Sequence, residues 1–214
     1  MQKICIVIPC YNEENRFPVV EFNDFYKATE SICFCFVNDG SIDNTSGVLN
    51  NLRKGRDNRI LFIELKKNQG KAEAVRNGIL KSLEWKNFDY IGYFDADLST
   101  PLPEIFLLEE SLRQKSIYQM AFGSRVMLLG VLIKRNACRH YLSRIFASLA
   151  SSLLKLPIYD TQCGAKLIKA ELASKIFTKP FVTRWLFDIE IFARIINFYG
   201  YEEAKNIMKY LPTW

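Results

Sequence analysis

Residues 32–54 read ICFCFVNDGSIDNTSGVLNNLRK, a short apolar run, a cluster of turn formers, then apolar residues at helical spacing. The run suits a strand, the cluster suits a loop because Asn, Asp, Gly and Ser satisfy turn backbones, and the remainder suits a helix. The same alternation extends both ways. KICIVIP and FPVVEFNDFYKATE precede it, and RILFIEL, KAEAVRNGILKSLEW, DYIGYFDA, PLPEIFLLEESLRQ and YQMAFGS follow. Repeated β-α units predict an α/β fold with a mostly parallel central sheet flanked by helices on both faces.

In such sheets ligands bind beyond the carboxyl ends of the strands. The polar clusters fall there: YNEEN after the first strand, NDGSIDNT after the second, KKNQGK after the third and DADLST after the fourth. Each taken alone could be an ordinary turn. Four of them on one rim predict a shared site.

The totals are those of a globular protein: 214 residues, 49% hydrophobic and 24% charged, which favours one domain spanning residues 1–214. A net charge of +6 suits phosphates, nucleotides or an anionic membrane face, with a solvated basic surface as the bland alternative. No nucleic-acid partner is expected. Six cysteines without a C-x-x-C pair read as reduced, buried thiols, and the single His140 makes a structural zinc site improbable. The N-terminal apolar run gives way to YNEEN without a small-residue cleavage site, so it reads as a strand, not a signal peptide. The longest apolar run, VMLLGVLI at 126–133, is far short of the roughly 20 residues that span a bilayer. Residues 134–156 read as a helix carrying Arg135, Arg139 and Arg144, and KNIMKYLPTW reads as a last strand.

Within YFDADLST, Asp95 and Asp97 stand two apart at a predicted strand end. Side chains two apart in an extended segment share a face, so both carboxylates can reach one cation. A hard divalent ion, Mg²⁺ or Mn²⁺, takes oxygen ligands and keeps places for substrate phosphates. D-x-D recurs by chance, and its position gives it weight. KKNQGKAEA is not a P-loop, since Leu65 stands five before Gly70 and Ala72 replaces the Ser or Thr that would hold Mg²⁺. PCYNEEN has no glycine, which excludes the dinucleotide fingerprint.

The ordered series IPCYNEE, VNDGSIDNT, NQGKAEAVRNG, DADLS, GSR, DTQCGAK and RWLFDIE resembles the family 2 glycosyltransferases of GT-A fold, and among them the dolichyl- or polyprenyl-phosphate sugar transferases. The match runs from about Ile4 to Glu190. It implies a nucleotide-binding role for Pro9, Tyr11, Glu13, Asp39 and Lys71. Arg76 is read either beside the nucleotide or as a structural surface residue. Asp95 and Asp97 are implied to bind the metal and the donor diphosphate, with Ser99 where some relatives carry a third ligand. Arg125 matches the phosphate-binding arginine of the acceptor site, and Arg135, Arg139 and Arg144 are candidates for a second. Asp160 would orient the sugar or an arginine, and Asp188 would be the base if the acceptor is a hydroxyl. Helix capping is the structural alternative for both. Ala165 stands where relatives carry an aromatic, which bears on donor-sugar preference.

The resemblance implies a metal-dependent, inverting transferase. It would move a hexose from a nucleotide diphosphate sugar, UDP-glucose favoured over GDP-mannose, to a polyprenyl phosphate at the cytosolic face of a membrane. An ionised phosphate attacks unaided and needs positioning arginines, whereas a hydroxyl needs a base. The alternatives are a transferase acting on a glycan or small-molecule hydroxyl with Asp188 as base, and a non-catalytic nucleotide-sugar-binding protein. The run at 126–133, bordered by cations, reads as core or as an acceptor loop touching the membrane surface.

Overall fold

The computed structural model describes residues 3–125, 163–184 and 186–213, with the backbone alone at 124, 125, 212 and 213. In chain order the elements are β1 (Ile4–Cys10), α1 (Val19–Ala28), β2 (Ile32–Asn38), α2 (Thr45–Arg53), β3 (Ile60–Glu64), α3 (Lys71–Trp85), β4 (Tyr90–Phe94), α4 (Glu104–Arg113) and β5 (Met120–Arg125). After them come β6 (Ala165–Lys169), α5 (Ala170–Ile176), α6 (Phe187–Tyr199), α7 (Tyr201–Ile207) and β7 (Met208–Thr213).

The strands form one sheet in the order β3-β2-β1-β4-β6-β5-β7. β1 pairs in parallel with β2 and β4, and β2 with β3. β6 runs antiparallel to both β4 and β5, and β7 is parallel to β5. Six strands therefore share one direction, and the carboxyl ends of β1 to β5 lie on one rim. The mostly parallel sheet expected from the β-α alternation is present.

Central strands are apolar along their whole length because both faces are covered. Alternate residues divide between two cores. Cys5, Val7, Cys35, Val37, Ile91 and Tyr93 pack under α3, α5, α6 and α7. Ile4, Ile6, Ile8, Phe34, Phe36 and Phe94 pack under α1, α2 and α4. At the edge, β3 is only partly buried. The described cysteines, Cys5, Cys10, Cys33, Cys35 and Cys163, are buried free thiols as expected. Burial pushes Cys35 up to about 12, so it stays protonated and inert.

Two local readings differ from the structure. Residues 205–207 finish α7, and the last strand begins only at Met208; the helix persists because Ala204 and Ile207 bury themselves against the sheet. β4 stops at Phe94, so Asp95 and Asp97 belong to a turn and not to an extended segment. The Leu98 amide donates to the Asp95 carbonyl at 3.2 Å, with Leu98 in the left-handed region at φ 51°. The helix read over 134–156 and the apolar run at 126–133 lie outside the described residues. Among the described residues no helix is long and apolar enough to cross a membrane.

Candidate active site

The four predicted loops meet. After β1, the Asn12 amide donates to Ser41 Oγ at 3.0 Å and the Ile42 amide to Asn12 Oδ1 at 3.0 Å, which joins the first loop to the second. The Glu13 amide donates to Thr45 Oγ1 at 2.7 Å. After β2, both oxygens of buried Asp39 accept backbone amides of the third loop, Gln69 and Gly70, each at 2.8 Å. Gly40 sits at φ +63°, and a side chain there would meet the Lys67 backbone at 2.3 Å, so only glycine permits this approach. Burial raises the Asp39 carboxyl above its ordinary value, against the lowering effect of the two amides and the Arg184 charge.

The third loop delivers Lys71, the first residue of α3, to the fourth. Its ammonium lies 2.5 Å from Asp95 Oδ1, with both side chains about three-quarters buried. The other oxygen faces backbone: a Cβ on Gly164 would stand 2.0 Å from Asp95 Oδ2. Asp97 is exposed on the same turn and accepts the Ser99 amide at 3.0 Å. Two hard oxygen donors on one turn, with a side-chain-free cradle behind one of them, fit a divalent ion. Among the described residues no cluster of three or more His, Cys, Asp or Glu groups could hold a metal ion.

Pro9 lies in β1 opposite Val37, and Tyr11 is exposed just beyond it. Glu13 is buried and holds Arg16 through two bonds of 2.6 and 2.8 Å. Arg16 is raised above its ordinary value, first by Glu13, with smaller contributions from Asp97 and Asp43. Arg76 bonds Glu73 at 3.0 Å and the Thr178 carbonyl at 2.8 Å. Arg125 ends β5 on the same rim, opposite Thr213. Asp188 is buried in the first turn of α6, where it accepts from the Tyr93 hydroxyl and pairs with Lys166 at 2.5 Å. Ala165 opposes Phe94 at the start of β6. Asp160, Arg135, Arg139 and Arg144 lie outside the described residues.

Three cations at or under this rim were missed from the sequence. Arg16 directly follows YNEEN. Lys166 ends DTQCGAK, a stretch read only for its aspartate and its missing aromatic. Arg184 opens RWLFDIE; its carbonyl accepts the Ala72 amide at 3.2 Å, and its side chain lies against Gly70.

The Glycosyl transferase family 2 profile matches residues 5–177. The dolichyl-phosphate beta-glucosyltransferases of Mus musculus and Homo sapiens are each 36% identical over 204 residues, covering 89% of this chain and 62% of theirs. The Dictyostelium discoideum protein of the same name is 31% identical, covering 88% of this chain and 60% of its own. The chain thus spans about three-fifths of the length of these curated relatives. Among solved structures, glucosyl-3-phosphoglycerate synthase from Mycobacterium tuberculosis superposes on 99% of this chain and 70% of its own at 16% identity. Its TM-score is 0.68 in the complex with UDP and 0.71 in the complex with Mn²⁺, UDP and glucosyl-3-phosphoglycerate. Those structures carry the same α/β architecture, and with the profile match over most of the chain, the protein belongs to glycosyltransferase family 2.

Proposed function

We propose that this chain transfers glucose from UDP-glucose to the phosphate of a polyprenol at the cytosolic face of a membrane, with inversion at the anomeric carbon. The observation that carries the reading is the Asp95–Asp97 turn at the end of β4, with Lys71 held against Asp95, in a chain 36% identical to dolichyl-phosphate beta-glucosyltransferases. The reading takes residues 1–214 as one catalytic unit. Pro9, Tyr11, Glu13 and Asp39 form the nucleoside side of the rim. Lys71 and the two aspartates form the diphosphate side, where a Mg²⁺ or Mn²⁺ ion on Asp95 and Asp97 would offset charge on the departing nucleoside diphosphate.

Arg125, at the carboxyl end of β5, is assigned to the acceptor phosphate, with Arg135, Arg139 and Arg144 as further candidates and Asp160 as their orienting carboxylate. A lipid phosphate is an anion that attacks without a base, so cations are what its site requires. Burial of Asp188 against Lys166 weighs against its use as a base for a hydroxyl acceptor. The apolar run at 126–133 beside these arginines suits contact with a membrane surface.

The test is transfer from UDP-glucose and from GDP-mannose to polyprenyl phosphate, to unphosphorylated polyprenol and to a free glycan, with Mn²⁺ or with a chelator. Metal-dependent glucosyl transfer to the phosphate, lost in Arg125→Ala, is expected. Transfer to a hydroxyl that survives Arg125→Ala and fails in Asp188→Asn would overturn the acceptor assignment.

A further inference from the structure

Directly beneath the rim, Lys166 and Asp188 form an ion pair sealed from solvent, with side chains 0% and 4% exposed and nitrogen and oxygen 2.5 Å apart. Taking two charges out of water is costly, and a well-packed apolar pair of similar size is often as stable. Stability alone therefore gives no reason for an ammonium here, and its partners point to another. Lys166 Nζ also donates to the Cys163 carbonyl at 2.7 Å, and it lies over the Tyr93 ring, 5.3 Å from the centroid. The Tyr93 hydroxyl donates to the same Asp188 oxygen. One buried network thus ties β4, the entry to β6 and the first turn of α6.

Both arms of that network end at Asp95. Tyr93 lies two residues before it on β4, directly opposite Lys166 in the antiparallel register. Cys163, whose carbonyl Lys166 holds, is followed by Gly164, the residue whose α-carbon backs the Asp95 carboxylate. A shift of the 163–164 backbone by a fraction of an ångström would move the wall against which Asp95 rests.

We propose that Lys166 and Asp188 are positioning residues: through Tyr93 and the Cys163 carbonyl they fix the Asp95 carboxylate in the orientation that binds a divalent metal–diphosphate. The proposal rests on the metal and diphosphate reading of Asp95 given above. It assigns Asp188 a role that does not involve proton transfer and Lys166 a role that does not involve touching substrate.

The experiment measures UDP affinity by calorimetry with and without Mn²⁺, so the readout is the metal-linked gain in binding and not turnover. The unaltered protein is expected to bind UDP more tightly with Mn²⁺. No gain there would remove the metal reading itself, an outcome told apart because it occurs before any substitution. In Lys166→Met/Asp188→Asn, which deletes both charges together and keeps an acceptor for Tyr93, the metal-linked gain is expected to fall about tenfold or more. UDP affinity without metal and the melting temperature should change little. A folded double variant with the full gain would overturn the proposal. Tyr93→Phe removes one hydroxyl and leaves the ion pair, so it gives a folded protein even if the double variant does not. Its metal-linked gain should fall by about threefold, at the level of one lost hydrogen bond, and an unchanged gain would likewise overturn the proposal.

Discussion

The ammonium of Lys71 lies 2.5 Å from Asp95 Oδ1, so the first residue of α3 neutralises the first aspartate of the D-x-D turn. Two carboxylates two residues apart repel each other, and Lys71 offsets that repulsion on the protein's own side. A diphosphate arriving at the turn would meet the same cation. Lys71→Met should therefore weaken UDP binding by about tenfold to a hundredfold, the scale of one or more charge-assisted hydrogen bonds. Calorimetry checks this, and unchanged affinity would remove Lys71 from the nucleotide site.

Asp95 and Asp97 are both expected to be needed for metal-linked binding, although their surroundings differ. Asp95 is wedged between Lys71 and Gly164, while Asp97 is exposed and accepts the Ser99 amide. Asp97→Asn should keep its melting temperature and lose the metal-linked gain in UDP affinity by about a hundredfold. Asp95→Asn should lose the same gain and also melt lower, because it removes the Lys71–Asp95 ion pair. Thermal melts beside calorimetry separate the two, and equal melting temperatures would contradict the account of Lys71.

Much of the fold could be read from the chain because its strands are short apolar runs and its helices keep one apolar stripe. The rim could be read because ICFCFVN and DYIGYF are each followed directly by an aspartate, Asp39 and Asp95, and parallel strands bring such ends together. The antiparallel direction of β6 had no such signal: the five residues AKLIK do not say which way the strand runs, and its register against β4, Tyr93 opposite Lys166, reveals it. The ion pair between Lys166 and Asp188 joins residues 22 apart across a helix and a turn, a separation with no periodic signature. Arg184 carries no signal within RWLFDIE, because its contacts are with Gly70 and Ala72, at the end of the third loop and the start of α3, and not with its own segment.

The chain just before Arg184 is held by side chains from two helices. Arg194 of α6 donates to the carbonyls of Ile176, Lys179 and Pro180 at 2.5 to 2.8 Å, and its guanidinium stacks over Phe181. Glu73 of α3 accepts the Phe181 amide and Glu190 the Val182 amide. Arg194 also pairs with Glu190 Oε1 at 2.8 Å and its side chain is 16% exposed, so Arg194→Met removes the arginine's bonds to three carbonyls together with this ion pair. A loss of about 2–4 kcal/mol in unfolding free energy is expected, read from denaturant titration. A loss under about 0.5 kcal/mol would mean the segment holds its shape without this arginine.

The first and second loops are joined by a reciprocal clasp that titrates. Asp43 accepts the Glu14 amide at 3.1 Å and the Thr45 amide and hydroxyl, while Glu14 accepts the Asn44 amide at 3.2 Å. These bonds, the Thr45 hydroxyl first, hold the Asp43 carboxyl below its ordinary value of 3.8. A carboxyl with a depressed folded-state pKa contributes stability that is present above its unfolded value and is lost as pH falls through the folded value. Asp43→Ala should therefore melt below the unaltered protein at pH 7, and the gap should close as the pH is taken below 3.8. Melting curves across the acid range check this. A gap of constant size would assign the effect to the lost side chain's shape and not to its charge, and the clasp would then have no part in the protein's acid sensitivity.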